Sequence, residues 1–218
     1  MNELLEQHSL EDHLNEEQLR LWRELTSPSQ IQAFLDTCAY RPEYSNLSPL
    51  SVLEQRRAHC LDGAVFAAAA LRRLGHQPLL VDMFPDPGVD DDHVLAIYRI
   101  NGRWGSVTKS NFVGLRSREP VYRDLHELVM TYFEQFYNLN GIKSLRTCTR
   151  ALNLARFDRY GWEWQDQGVD RIEKALLKLK RRPLISPEMA AALTPVDPLT
   201  YQAGMLVANP EGIYKPKV

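Results

Sequence analysis

The stretch "RRAHCLDGAVFAAAALRRLGH", residues 56–76, decides how the rest of the chain is read. Its alanines favour helix, and Ala64, Ala67, Ala68, Leu71 and Leu74 recur at the spacing that gathers side chains on one helical face. Gly75 suits the left-handed terminus that ends such a helix, so a helix over about 59–74 is predicted. Cys60 then sits in its first turn, where unpaired backbone N–H groups and the helix dipole favour a thiolate and offer donors to an oxyanion. Two readings of Cys60 stay open on these residues alone. It is either a reactive thiol or a small apolar side chain in the core, where free cysteines commonly reside.

Downstream, "PLLVDMF" (78–84) reads as a buried strand and "PDPGVDDD" (85–92) as a turn. "HVLAIYRI" (93–100), Asn101-Gly102 and "RWGSVTK" (103–109) form the strongest hairpin signal in the chain. A two-residue turn makes Ile100 face Arg103, and alternation then puts Trp104, Ser106, Thr108 and Ser110 on the face of His93. Asn111 falls on the opposite face unless a bulge intervenes.

Upstream, "NEEQLRLWRELT" (15–26) and "SQIQAFLDTCAY" (29–40) have helical periodicity, with Cys38 in the core. Ser48 and Pro49 cap a short helix. After Glu119 and Pro120, "VYRDLHELVMTYFEQFYN" (121–138) is expected to be a longer helix, "SLRTCTRALNLARF" (144–157) a strand, and "DQGVDRIEKALLKLKRR" (166–182) a helix. The organisation expected is a helical segment 1–47, a core 48–115, a helical or mixed extension 116–182 and a proline-rich arm 183–218. The fold class is α+β.

At 218 residues, 44% hydrophobic and 25% charged, the chain has the composition of a soluble globular protein with one main core. A formal net charge of -2 provides no basic field for nucleic acid. Three widely spaced cysteines and an acidic start without an apolar signal core point to free thiols in a cytoplasmic setting. No apolar run approaches the roughly 20 residues needed to span a bilayer. Neither nucleic acid nor membrane is an expected partner.

The segments "HCLDGAVFAAAALRRLGHQPLLVDM" and "DDDHVLAIYRINGRWGSV", within about residues 48–115, resemble the transglutaminase-like group of the papain-like cysteine hydrolases and acyltransferases. The shared pattern is a Cys at a helix start, a Gly-ended helix, a strand, and a His opening a hairpin that closes in a Gly-x-Trp strand. The resemblance implies a transglutaminase-like core with Cys60 as nucleophile and His93 as general base and acid. It also implies an orienting aspartate on the next strand, and the fourth residue after Trp104 is Thr108, which lacks the charge. Asn111 has the side chain that related papain-like enzymes use for this task.

The function expected is therefore a cysteine-dependent amide or ester hydrolase or acyltransferase, acting through a Cys60 thioester on a peptide, a protein side chain or a small amide or ester, with no cofactor. The alternative is a catalytically inactive relative that serves as a binding module. A third possibility is a metal site in the loop of Asp86, Asp90, Asp91, Asp92 and His93, though consecutive residues do not aim at one point, and a solvated turn is the plainer reading. Asp91 or Asp92 is also a candidate to orient His93. Arg116 and Arg118, with Lys109 nearby, are candidates to receive a substrate carboxylate or phosphate, with Trp104 beside them. Their plainer roles are salt bridges to Glu119 or Asp124 and, for Trp104, anchoring the sheet. His59 and His76 read as cap-side or surface residues.

Overall fold

The computed structural model describes residues 9–43 and 45–215. Helices α1 (Glu16–Glu24) and α2 (Pro28–Thr37) open the chain, started by side-chain caps from Asn15 and from Ser27, the latter followed by a first-turn Pro28. Strand β1 (Ala39–Tyr40) pairs in parallel with β2 (Arg57–Ala58) across helix α3 (Pro49–Gln55), which Ser48 caps as the sequence predicts. Helix α4 (Cys60–Arg73) follows immediately. At its end Gly75, at φ +88°, and His76 donate their N–H groups to the Arg72 and Leu71 carbonyls, both at 3.0 Å.

Strands β3 (Leu79–Pro85), β4 (His93–Ile100) and β5 (Arg103–Val107) form an antiparallel meander. Asn101 and Gly102 both have positive φ, and the turn they make sets the register read from the sequence, from Ile100 opposite Arg103 to Ala96 opposite Val107. Strand β6 (Arg118–Tyr122) then pairs with β5, and helix α5 (Leu125–Met130) begins only after the Asp124 cap. The longer helix expected over 121–138 is thus shortened at its start. Edge pairing takes Val121 and Tyr122 into the sheet, and beyond Met130 the chain tightens into a 3-10 turn.

Strand β7 (Leu145–Thr149) confirms the strand expected there, and β8 (Leu152–Asn153) adds a short pairing to β3. Helix α6 (Asp166–Leu177) ends earlier than expected, because Arg181 to Pro183 join β7 as strand β9 (Arg181–Pro183). The arm carries two short helices, α7 (Pro187–Ala191) and α8 (Pro198–Gly204). The sheet runs β6-β5-β4-β3-β7-β9, so β3 and β4 are interior. The chain is an α+β fold.

Strand alternation divides the core. Leu80, Val94, Ala96, Tyr98 and Val107 face α4, while Val81, Met83, Leu95 and Ile97 face Leu128, Val129 and Tyr132 on the far side. Helix α4 is buried on all sides from Leu61 to Leu71 rather than along one stripe. Its alanines let the sheet, α2, α3 and α6 close in together, and Phe66 fills the gap by stacking on Phe34 with ring centroids 4.7 Å apart. Gly63 is where close approach is most demanding, since a Cβ there would lie 2.2 Å from the Cβ of Lys109. Among the described residues, no helix is long and apolar enough to cross a membrane.

Candidate active site around Cys60

Cys60 is the first residue of α4, and its neighbours are fixed by an unusual cap. The His59 Nδ1 accepts the N–H groups of Leu61 at 3.2 Å and Asp62 at 3.4 Å, and the His59 carbonyl accepts from Gly63 at 3.0 Å. Among the described residues, this leaves the N–H of Cys60 as the first-turn donor not spent on the cap. Asp62 is fully buried and accepts from the backbone of Leu47 (2.7 Å) and His59 (3.0 Å) and from the Arg41 guanidinium (3.0 Å). Burial nevertheless pushes the Asp62 carboxyl up to about 6. Burial, assisted by Arg41, pushes His59 down to about 4, so its 3.3 Å approach to Asp62 is a polar contact and not an ion pair.

The Cys60 thiol points at the carbonyl oxygen of Asp92, 4.0 Å from Sγ. Burial raises this thiol well above its ordinary range, and Asp92 and Asp91 raise it further, against an opposing contact from the backbone of Val94. Asp82 stands opposite, on the α4 face of β3, only 1% exposed. Its carboxyl meets that of Asp92, and burial together with this contact holds it strongly towards the protonated form. Among the described residues, the Asp82 Oδ1 has no hydrogen-bond partner. Asp91 lies on the exposed lip, where close packing around its carboxyl and the adjoining Asp92 raise it too. These groups surround a cavity of about 150 Å³.

His93 occupies the first position of β4, 4% exposed, with the parity of Leu95 and Ile97. Its Nε2 lies 3.0 Å from the Leu115 carbonyl and 3.2 Å from Thr108 Oγ1. The Thr108 hydroxyl donates to the Val94 carbonyl at 2.8 Å, so both groups facing Nε2 act as acceptors. Nε2 therefore carries the hydrogen and Nδ1 is the basic nitrogen of the neutral ring. Burial pushes the ring down to about 4, with Arg118 adding to it against the Leu115 carbonyl. The structure brings Thr108 to His93 and sets Cys60 against the residue preceding it. Among the described residues the two side chains share no hydrogen bond, because alternation turns His93 towards the face opposite α4.

The other candidates are engaged elsewhere. Asn111 does not reach His93; it exchanges hydrogen bonds with the backbone of Asn209, donating to its carbonyl at 2.9 Å and accepting from its N–H at 2.7 Å. This anchors the arm, and Gly212 to Tyr214 then cover the Cys60 cavity. Lys109 is not a surface cation but is buried, its Nζ capping the end of α2 through the carbonyls of Leu35 (2.9 Å) and Cys38 (2.5 Å). Arg116 pairs with Asp36 rather than with Glu119 or Asp124. Arg118 donates to Thr131 Oγ1 at 3.0 Å and lies 4.0 Å over the Tyr132 ring. Trp104 packs on the far-face core with Arg99 above it, as a sheet anchor.

Among the described residues, no group of three His, Cys, Asp or Glu side chains is arranged to hold a metal ion. A larger cavity, about 260 Å³, opens at the other end of α4 beside Trp22, Trp162 and Trp164, but among the described residues neither cysteine nor histidine lines it. Sequence reasoning missed Asp82, which reads as one polar residue inside an apolar strand, whereas of the two readings of His59 the cap-side one holds. An acid in the middle of "PLLVDMF" was the available signal for Asp82. No family model matches the chain, and no curated protein matches it.

Proposed function

We propose that the chain is a cysteine-dependent hydrolase or acyltransferase with a transglutaminase-like core, resting with a neutral thiol and a neutral imidazole. The observation that carries the reading is the pairing of Thr108 Oγ1 with His93 Nε2 at 3.2 Å, at the position where the resemblance calls for the orienting residue. With Leu115 it fixes the tautomer in which Nδ1 is the base. In the reaction the Sγ proton passes to Nδ1, and sulfur attacks the substrate carbonyl carbon. The Cys60 N–H donates to the developing oxyanion. Collapse transfers the Nδ1 proton to the leaving amine or alcohol and leaves a thioester. Water or an acyl acceptor, deprotonated by Nδ1, then releases the product and restores the thiol. For the first step Sγ has to turn away from the Asp92 carbonyl, and the His93 ring has to come round from the far face of the sheet, where Leu115 and Thr108 hold it.

Incubation with p-nitrophenyl acetate, followed by peptide mass spectrometry, is expected to find an acetyl group on Cys60. It should be absent from Cys60→Ser and strongly reduced in His93→Gln. A second reading, a binding module without chemistry, is favoured by the carboxyls that hold the thiol protonated. No acetylation, together with iodoacetamide alkylation whose pH profile ignores His93→Ala, would select it.

A further inference from the structure

The cavity beside Cys60 is acidic beyond what a thiol site needs. Asp82, Asp91 and Asp92 meet at its floor and lip, and Glu43, Glu173 and Glu211 stand around them. Arg41 is the one Lys or Arg among the described lining residues, and its guanidinium is spent on Asp62, Glu43 and Ser45. Most of these acids have partners: Glu173 accepts from Asn46, and Glu43 from Arg41 and Arg57. Asp82 differs. It is 1% exposed, it lines the cavity, and its Oδ1 has no partner among the described residues. A buried acceptor left without a donor is costly, so a ligand that supplies a donor would be favoured there.

We propose that Asp82, Asp91 and Asp92 bind an organic cation, an aliphatic ammonium group, in exchange for a proton. An ammonium offers three donors to three carboxyls, and the walls suit a methylene stem rather than a hydrated metal: Leu61, Val94, Leu176, Leu177 and Ile213, with the Tyr40 ring at one side. A volume of about 150 Å³ accepts a group of side-chain size. Charge balances in the exchange: one monocation enters, one proton leaves, and the cluster keeps its net charge. The titratable neighbours are His59 and Cys60 on α4, Tyr40 after β1, and Glu173 on α6. Glu211 and Tyr214 face the cluster from the arm, and Arg181 on β9 and Cys148 on β7 approach Asp82 from the sheet. Neither Cys60 nor His93 is a required ligand, so the proposal goes beyond the acyl-transfer reading and stands or falls separately.

The test is NMR titration of the full chain with n-butylammonium, and with n-butanol as the neutral isostere, at several pH values between 5 and 8. Saturable binding of the ammonium is expected, with affinity rising up to about tenfold per pH unit while the proton is displaced. Butanol should bind at least about tenfold more weakly, a difference of about 1.4 kcal/mol. Cys60→Ser should bind as the wild type does even if acetylation fails, whereas Asp82→Asn should lose at least tenfold and flatten the pH dependence. If Asp82→Asn does not fold, Asp91→Asn on the exposed lip carries the test and should weaken binding severalfold. Equal affinity for butanol, affinity that does not change with pH, or folded aspartate variants that bind like the wild type would overturn the proposal.

Discussion

Thr108→Asp would place a carboxylate where Thr108 Oγ1 now lies 3.2 Å from His93 Nε2. At that separation and an effective dielectric near 20, a full charge stabilises the imidazolium by about 5 kcal/mol, equivalent to roughly 4 pKa units. Two effects reduce the gain. The position is fully buried, so the new carboxylate is itself pushed towards its neutral form, as Asp82 is. The Val94 carbonyl also loses the donor it has at 2.8 Å. The net expectation is that His93 rises from about 4 by roughly 2 units, at a stability cost of about 1–3 kcal/mol for the orphaned carbonyl. The assay is a histidine NMR titration with His93→Gln to assign the resonance, beside urea unfolding. Thr108→Asn is the neutral control and should move the ring by less than about half a unit, since it brings no charge. If folded Thr108→Asp leaves His93 within about half a unit of the wild type, the charge at this position does not govern the ring and the reasoning fails.

Gly63→Ala should destabilise by about 1–3 kcal/mol in urea unfolding, because the new methyl would meet the Lys109 stem; stabilisation, the usual result inside a helix, would show that α4 can shift. Asn111→Ala removes both hydrogen bonds to Asn209 and should weaken arm docking by about 2 kcal/mol, raising the open population up to about 30-fold. Iodoacetamide alkylation of Cys60 should accelerate accordingly, and an unchanged rate would mean that the arm does not limit access. His59→Asn keeps a capping side chain but removes a group that titrates near 6.5 unfolded and about 4 folded. Because the folded value is depressed, the unfolded chain takes up the proton first, and the wild type loses stability as pH falls from 6.5 towards 4. The variant's stability relative to the wild type should therefore improve across that window by about 3 kcal/mol, measured by urea unfolding at each pH; parallel curves would refute the shift.

The hairpin was legible because Asn101-Gly102 admits one register, and counting along it put Thr108 on the face of His93 with Trp104, Ser106 and Ser110, while the family resemblance singled out Thr108 among them. The same arithmetic set Asn111 on the wrong face for His93, and it duly reaches the arm instead. Residues 118–122 were not legible, since Val121 and Tyr122 continue the apolar period of α5 and only pairing with β5 draws them into the sheet. Lys109 read as a cation near a substrate cleft because nothing local shows that α2 ends over it. Asp82 needed the fold as well. Its place in an apolar strand signals burial, but only the crossing of α4 over β3 and β4 brings it to Cys60 and Asp92.

Burial pushes each resolved group closest to the chemistry towards neutrality: Cys60 and Asp82 upwards, His93 and His59 downwards. A preformed thiolate–imidazolium pair is therefore disfavoured, and in the proposed acyl transfer the proton would have to move together with attack on the carbonyl. Which partner moves follows from what holds each one. The His93 ring is fixed by Leu115 and Thr108, and Thr108 is itself tied to Val94, so reorienting the ring breaks buried hydrogen bonds worth about 1 kcal/mol each and orphans acceptors. The thiol is held by a 4.0 Å contact to Asp92, and a thiol is a weak donor. Turning Cys60 between staggered χ1 wells costs less than turning His93. Moving the thiol alone nevertheless does not complete the pair, because the His93 ring lies on the sheet face opposite α4, so the proposed reaction also requires the start of β4 to move.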